Sequence, residues 1–175
     1  MKSSLFFLIA LTALAGCASR PPVVAAKAVD LPRYMGDWFV IANIPYWGEK
    51  DCFSSLERYR LQPDGLVDTQ FMARKRSFDG PEYLVKSVAR VTDRENNSRW
   101  DVLFLGGLIK VKLIILHVAP DYRFAVVTTP DRKLAWIFSR KTSLSARDYE
   151  SAVNILKTSG IDTSRLMLVP QKPAL

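Results

Sequence analysis

The sequence predicts an all-β domain: eight antiparallel strands closed as an up-and-down β-barrel, with one C-terminal α-helix packed outside. Three observations predict it. Between residues 37 and 141, short segments rich in β-branched and aromatic residues recur, with turn signals roughly every 10–15 residues. The 10 prolines and 8 glycines are spread along the chain, as many short elements joined by turns require. Past residue 145 the apolar period changes to that of a helix.

A length of 175 residues makes one domain the default. With 49% hydrophobic and 24% charged residues the composition is globular, not disordered. The formal charge of +8 invites a nucleic-acid reading. The N-terminus argues against it, because the chain reads as exported.

Residues 1–16 read as a signal peptide: Lys2 supplies the positive start, and Leu5 to Ala13 is an apolar run followed by small residues. The run is too short to span a bilayer, which takes about 20 apolar residues. Leu14-Ala15-Gly16-Cys17 resembles the bacterial lipobox, whose cysteine becomes the acylated N-terminus. The plainer alternative is an ordinary signal peptide with an incidental cysteine. The resemblance implies lipidation at Cys17, and Ala18 after it implies no inner-membrane retention. The expected location is the cell outer membrane, lipid-anchored, with the domain in the periplasm. Stable anchoring needs two or more acyl chains. Processing removes Lys2 and lowers the charge from +8 to +7. Residues 17–30 then form the lipidated cysteine and a Pro/Ala-rich tether whose twelve residues 18–29 reach at most ~40 Å. Residues 31–175 form the barrel domain. Cys52 is left as a lone thiol with no partner for an internal disulfide.

The strands follow in order. The first is Asp37–Asn43, and a loop "IPYWGEKDCF" leads to Ser55–Leu61. "QPDG" turns the chain into Leu66–Lys75, "SFDGP" into Tyr83–Val91, and "TDRENNS" into Arg99–Leu105. "GG" leads to Lys112–Val118, "APDY" to Phe124–Thr129 and "PDRK" to Leu134–Arg140. Eight consecutive hairpin-linked strands can close on themselves and leave no open edge. In the next segment Tyr149, Ala152, Val153 and Leu156 fall at i, i+3, i+4 and i+7, one helical face. Ser145 with Asp148 reads as an N-cap with an acidic partner, and Gly160 as the stop. "SRLMLVP" reads as a short closing strand.

These residues together resemble the lipocalin family, in particular its bacterial outer-membrane lipoprotein branch. Gly36-Asp37-Trp38 matches the family's G-x-W motif at the start of the first strand. Asp121-Tyr122 matches the second motif, and Arg140 at the end of "AWIFSR" the third. The likeness covers roughly residues 30–171. Pro120 stands where many members carry Thr, and the missing disulfide suits the bacterial branch. The resemblance implies that Trp38 plugs the closed end of the barrel with Arg140 packed across its ring. It also implies a small hydrophobic ligand, such as a fatty acid (palmitate, for example) or a lysophospholipid, carried or stored in the barrel.

Alternation from Trp38 places Val40 and Ala42 inward on the first strand. Glu57, Tyr59 and Leu61 are expected inward on the second, Trp100, Val102 and Phe104 on the fifth, and Leu113, Ile115 and His117 on the sixth. The third, seventh and eighth strands have ambiguous parity. Tyr46 and Trp47, in the loop over the mouth, form either a lid on the ligand or a loop cluster. Burying a 16-carbon chain at ~0.8 kcal/mol per CH₂ yields roughly 12 kcal/mol gross. Association costs of about 4–15 kcal/mol reduce this to micromolar affinity with little chain selectivity.

Alternate hairpins share an end, so four loops gather opposite Trp38. They carry Lys50, Arg74, Lys75, Arg76, Lys110, Lys112, Arg132 and Lys133 against Glu49, Asp51, Asp79, Glu82 and Asp131, a net +3. The plugged end nets −2. A basic mouth, chiefly Arg74, Arg76, Lys110 and Lys112, is expected to attract a carboxylate or phosphate head group; solvated surface charge is the alternative.

No catalytic residue is assigned and an enzyme is not expected. The one histidine, His117, falls inside a strand, and one His with one free Cys cannot supply a usual metal site. No phosphate-binding Gly loop is present, and no cofactor is expected. Cys52 is the one candidate nucleophile, for a lipid isomerase, but has no evident base. The other rival is an envelope lipoprotein that only docks proteins. A homodimer is compatible with all of these readings.

Overall fold

The computed structural model describes residues 21–172. The segment expected as a signal peptide and Cys17 lie outside the described residues. Eight strands run antiparallel, each paired to the next: β1 (Gly36–Ile44), β2 (Cys52–Leu61), β3 (Leu66–Lys75), β4 (Glu82–Val91), β5 (Arg99–Phe104), β6 (Ile109–Val118), β7 (Phe124–Thr128) and β8 (Ala135–Ser139). β1 closes the barrel because it pairs twice. Gly36–Phe39 bonds to β2, and Phe39–Ile44 bonds to β8. A ninth, two-residue strand β9 (Met167–Leu168) pairs outside, on Ala42 and Asn43 of β1.

Two short helices complete the fold. α1 (Leu31–Tyr34) was not foreseen; four residues carry no readable period. It is started by Asp30, whose carboxylate accepts from the Arg33 amide. It swings Tyr34 under the barrel, against the rings of Trp38, Tyr59 and Trp100 at 5.1–5.7 Å. α2 (Ala146–Thr158) begins at Ser145, whose hydroxyl accepts from the Asp148 amide at 3.1 Å. It ends before Gly160, whose φ of +79° only glycine adopts freely. Its buried residues Ala152 and Leu156 join Ile41, Ile44, Ile114, Phe124, Val126 and Ile137 in a core on the outer wall. A separate core fills the barrel's interior around Trp38, Val40, Val67, Phe71, Trp100 and Ile115.

Three β-bulges decide which residues face which core. One interrupts β1 between Val40 and Ala42, where the register to β8 slips by a residue. Trp38 and Val40 face inward below it; above it Asn43 is paired with Trp136. Ala42, expected inward, belongs to the outer core. A second bulge lies between Ile115 and His117 on β6. His117, also expected inward, therefore sits outside against the Phe124 ring at 5.3 Å, near the start of α2. The third separates Phe53 from Leu56 on β2. Leu61, the last residue of β2, overhangs the plugged end and is exposed.

The segment expected as tether is packed where it is described. Val23 and Val29 are buried, the Ala26 amide donates to the Ile115 carbonyl at 2.8 Å, and Arg99 donates to the Val23 carbonyl at 2.9 Å. Two valines give this stretch enough apolar surface to lie on the wall instead of remaining extended in solvent.

Candidate ligand-binding site

One end of the barrel is shut by a stack built from the motif residues. Trp38 is fully buried, and its indole N–H donates to the Tyr34 carbonyl at 2.8 Å. The Arg140 guanidinium lies 3.7 Å from the indole centroid. The same guanidinium donates to the carbonyls of Asp37 (2.7 Å), Arg33 (2.8 Å), Met35 (2.8 Å) and Tyr34 (3.2 Å). It thereby satisfies the backbone around α1. Gly36 has φ +90°, and a Cβ at this position would lie 3.5 Å from that guanidinium. Tyr122 accepts from the Asp30 amide at 2.8 Å and carries the Arg33 guanidinium 4.1 Å above its ring. Asp121 pairs with Arg123 at 2.9 Å.

Above this stack the barrel is hollow. A cavity of about 560 Å³ opens at the other end, with a smaller recess of about 60 Å³ in its wall. Ligand pockets typically occupy 300–1,000 Å³. Of the residues expected inward, Glu57, Tyr59, Val102, Phe104 and Leu113 line the cavity, as do the loop residues Tyr46 and Trp47. Val40, Trp100 and Ile115 lie in the packed inner core and do not reach it. Strands of unassigned parity supply much of the remaining wall, with Ile109 and Val111 of β6 and the loop residues Leu105 and Leu134. β3 turns Thr69 and Phe71 inward, β4 presents Tyr83, Val85 and Ser87, and β8 presents Trp136 and Phe138. Tyr46 and Trp47 sit edge to face at 6.1 Å on the mouth; Trp47 is 82% exposed while Tyr46 lines the recess.

Glu49 is the residue that sequence reasoning missed. Counted there as a rim acid, it is 6% exposed and folded into the barrel by the 3₁₀ turn Trp47–Glu49. The Trp136 indole N–H donates to both its oxygens, at 3.0 and 3.1 Å, and Asn43 donates at 3.0 Å. Burial pushes its carboxyl up to about 7, against the pull of these donors and of Lys75. The bulge that turns Asn43 inward is what provides one of them. Glu57 shares the recess. Burial, with the neighbouring Glu49 charge, pushes it up to about 8.

The basic residues stand at the rim and outer wall, not in the bore. Arg74 is paired to Glu82 at 2.7 Å and Lys110 to Asp101 at 3.2 Å. Lys112 lies opposite Asp101 on the outward face, and Arg76 occupies the turn after β3 at φ +69°. Arg132 points away, to the Ser159 carbonyl at 2.8 Å. Cys52 is buried and its thiol is raised by that burial, which opposes nucleophilic use. Among the described residues no group of three His, Cys, Asp or Glu side chains is arranged to hold a metal ion.

A closed antiparallel barrel, plugged at one end and hollow at the other, defines a small-ligand-binding β-barrel. A family model described as a lipocalin-like domain matches residues 29–171. The chain belongs to the lipocalin family. It is similar to temperature-induced lipocalin-1 of Arabidopsis thaliana, 27% identical over 152 residues that cover 83% of this chain and 81% of the relative. Outer membrane lipoprotein Blc of Vibrio cholerae is 22% identical, with 97% of this chain and 99% of the relative covered. The Escherichia coli K12 protein of the same name is 25% identical, covering 89% and 88%. Among solved structures, insecticyanin of the tobacco hornworm Manduca sexta superposes with a TM-score of 0.67 at 21% identity, covering 85% of this chain and 84% of that one.

Proposed function

We propose that this lipocalin binds a hydrophobic ligand, a fatty acid or lysophospholipid, in the barrel and carries or stores it at the outer membrane. The observation that carries the reading is the cavity of about 560 Å³, walled by aromatic and aliphatic side chains and closed below by Trp38. The Blc lipoproteins among its relatives, together with the lipobox-like Leu14–Cys17, support an acyl anchor at Cys17 and a periplasmic domain. Val23 packs on the barrel and the Pro21 carbonyl accepts from Arg132, so an anchor at Cys17 lies only four residues before the first held position. The domain is thus kept beside the bilayer. Trp47, Leu105, Leu108 and Ile109 expose apolar surface around the open end, next to Lys110, a combination suited to taking a lipid from a membrane surface.

Native mass spectrometry of the lipidated protein from membranes tests this. Co-purified lipid that is lost when Val102→Trp fills the bore supports the carrier. An empty barrel accompanied by a protein partner supports a docking module and overturns it.

A further inference from the structure

Resting on that reading, we infer that the calyx holds a subsite for a cationic nitrogen, formed by Glu57 with Glu49 and the surrounding aromatic rings, so that it takes amphiphilic amines head-inward. The case begins with Glu57. Its backbone is paired with Trp38 and Phe71, deep in the barrel, and its side chain lines both the main cavity and the recess. Among the described residues no donor hydrogen-bonds its carboxyl, although every other acid lining the cavity is bonded: Glu49 holds Trp136 and Asn43. A carboxyl that faces an apolar cavity with no partner is costly when ionised, so it favours whatever ligand supplies the missing partner.

The groups facing it decide what that partner is. β2 brings Tyr59 and the loop before it brings Glu49 and Tyr46; β3 brings Thr69, which is hydrogen-bonded to Ser87 of β4; β4 also brings Tyr83. Two cations come near. Lys75 spends its ammonium on the Gly48 and Lys50 carbonyls, at 2.6 and 3.0 Å, and over the Tyr83 ring at 4.4 Å. Lys86, exposed on β4 between the inward-facing Val85 and Ser87, borders the main cavity but not the recess that holds Glu57. The bore therefore offers two carboxyls and the rings of Tyr46 and Trp136. Carboxylates and aromatic rings are the groups that bind ammonium, and among the described residues no lysine or arginine lines the recess itself. An alkyl tail on the amine then fills the apolar upper bore, where Phe104, Leu113 and Phe138 lie.

Binding moves a proton. Burial raises the Glu57 carboxyl to about 8, so it holds its proton at neutral pH; Glu49 is raised as well, and Tyr46 and Tyr59, raised by burial, stay neutral. An incoming ammonium ionises Glu57, which releases that proton to solvent.

The test uses the full soluble domain and three probes of equal chain length: dodecylamine, dodecanol and dodecanoate. Affinities are read by displacement of a fluorescent fatty-acid analogue, and proton release by calorimetry in two buffers of different ionisation enthalpy. Expected at pH 7 is about tenfold tighter binding of the amine than of the alcohol, with roughly one proton released per amine. In Glu57→Gln the amine and the alcohol bind within about threefold of each other. Equal affinity for amine and alcohol in the native protein, or no proton released, overturns the inference while leaving the carrier reading intact. A Glu57→Gln variant that loses affinity for dodecanoate instead shows a neutral carboxyl donating to an anionic head, and also overturns it. If none of the three probes binds, the carrier reading falls and this one with it. The native-protein ratio and proton count need no variant, so poor folding of Glu57→Gln does not spare the claim.

Discussion

Arg140 and Trp38 are one structural unit: the guanidinium stands 3.7 Å from the indole centroid while its N–H groups donate to four carbonyls around α1. A cation–π contact of this kind is worth about 0.5–2 kcal/mol, and each stranded buried carbonyl costs about 1–3 kcal/mol. Lysine keeps the charge but loses the planar fork. Arg140→Lys is therefore expected to destabilise by about 2 kcal/mol and Trp38→Ala by about 3–5 kcal/mol. The double variant should cost less than the sum, because each single change already breaks the shared contact. Urea unfolding of the four proteins measures the coupling; strict additivity contradicts it.

Glu49 and Glu57 make stability depend on pH in a defined direction. Both carboxyls rise above the ordinary 4.5, to about 7 and about 8, chiefly because burial penalises their charged forms. The folded protein then keeps protons that the unfolded chain releases, so ligand-free stability falls as pH rises from about 5 to about 8. The loss should reach a few kcal/mol. Below about pH 4 the slope reverses. There Asp37, held low by its hydrogen bond to Arg58, and Asp148, held to about 2 by Arg123, lose their partners on protonation. Unfolding midpoints at pH 5.5 and 8.5 check the first limb, and Glu57→Gln should flatten it. A midpoint that rises toward pH 8.5 contradicts the assignment.

The β1 bulge separates Val40 from Ala42 by face, and substitution can read that. Ala42 is fully buried among Ile41, Ile44 and Leu156 of the outer core. Ala42→Phe should therefore overpack the α2 side, costing about 1–3 kcal/mol, with ligand affinity altered less than twofold. Val102→Trp should do the reverse, cutting ligand affinity at least tenfold by filling the bore. Paired affinity and thermal-unfolding measurements distinguish the two. Were Ala42→Phe to abolish binding at full stability, residue 42 would face the ligand.

The strands were legible because alternation and turn chemistry are local. β3 lies at Leu66–Lys75 as read, and Ser145 and Gly160 bracket α2. The unreadable parts are those decided by the third dimension. One bulge residue moved Ala42 out and Asn43 in, and a second moved His117 out. An extra residue leaves no mark in composition. Glu49 read as rim charge because nothing near it in sequence reveals the Trp136 indole, 87 positions away, that holds it inside. The valines of residues 23–29 were read as spacer, since apolar residues show their packing only once the wall they rest on exists. Trp38 was legible through the motif, and Glu57 through parity from Tyr59.

The rim cations can be separated from the interior carboxyls by charge reversal. Arg74 is held by Glu82, whereas among the described residues Arg76 and Lys112 take part in no ion pair, so their field reaches the mouth less compensated. A triple Arg74→Glu, Arg76→Glu, Lys112→Glu variant should weaken a fatty acid more than its neutral alcohol, by about threefold to tenfold at low salt, because only the acid carries charge past the rim. The differential should shrink as salt rises to 0.5 M, since exposed charges are screened within about 10 Å already at 0.1 M. Displacement titrations of both probes at the two ionic strengths measure it. Equal losses for acid and alcohol would mean that these cations serve solubility alone, and that whatever head-group preference the calyx has arises inside it, at Glu49 and Glu57.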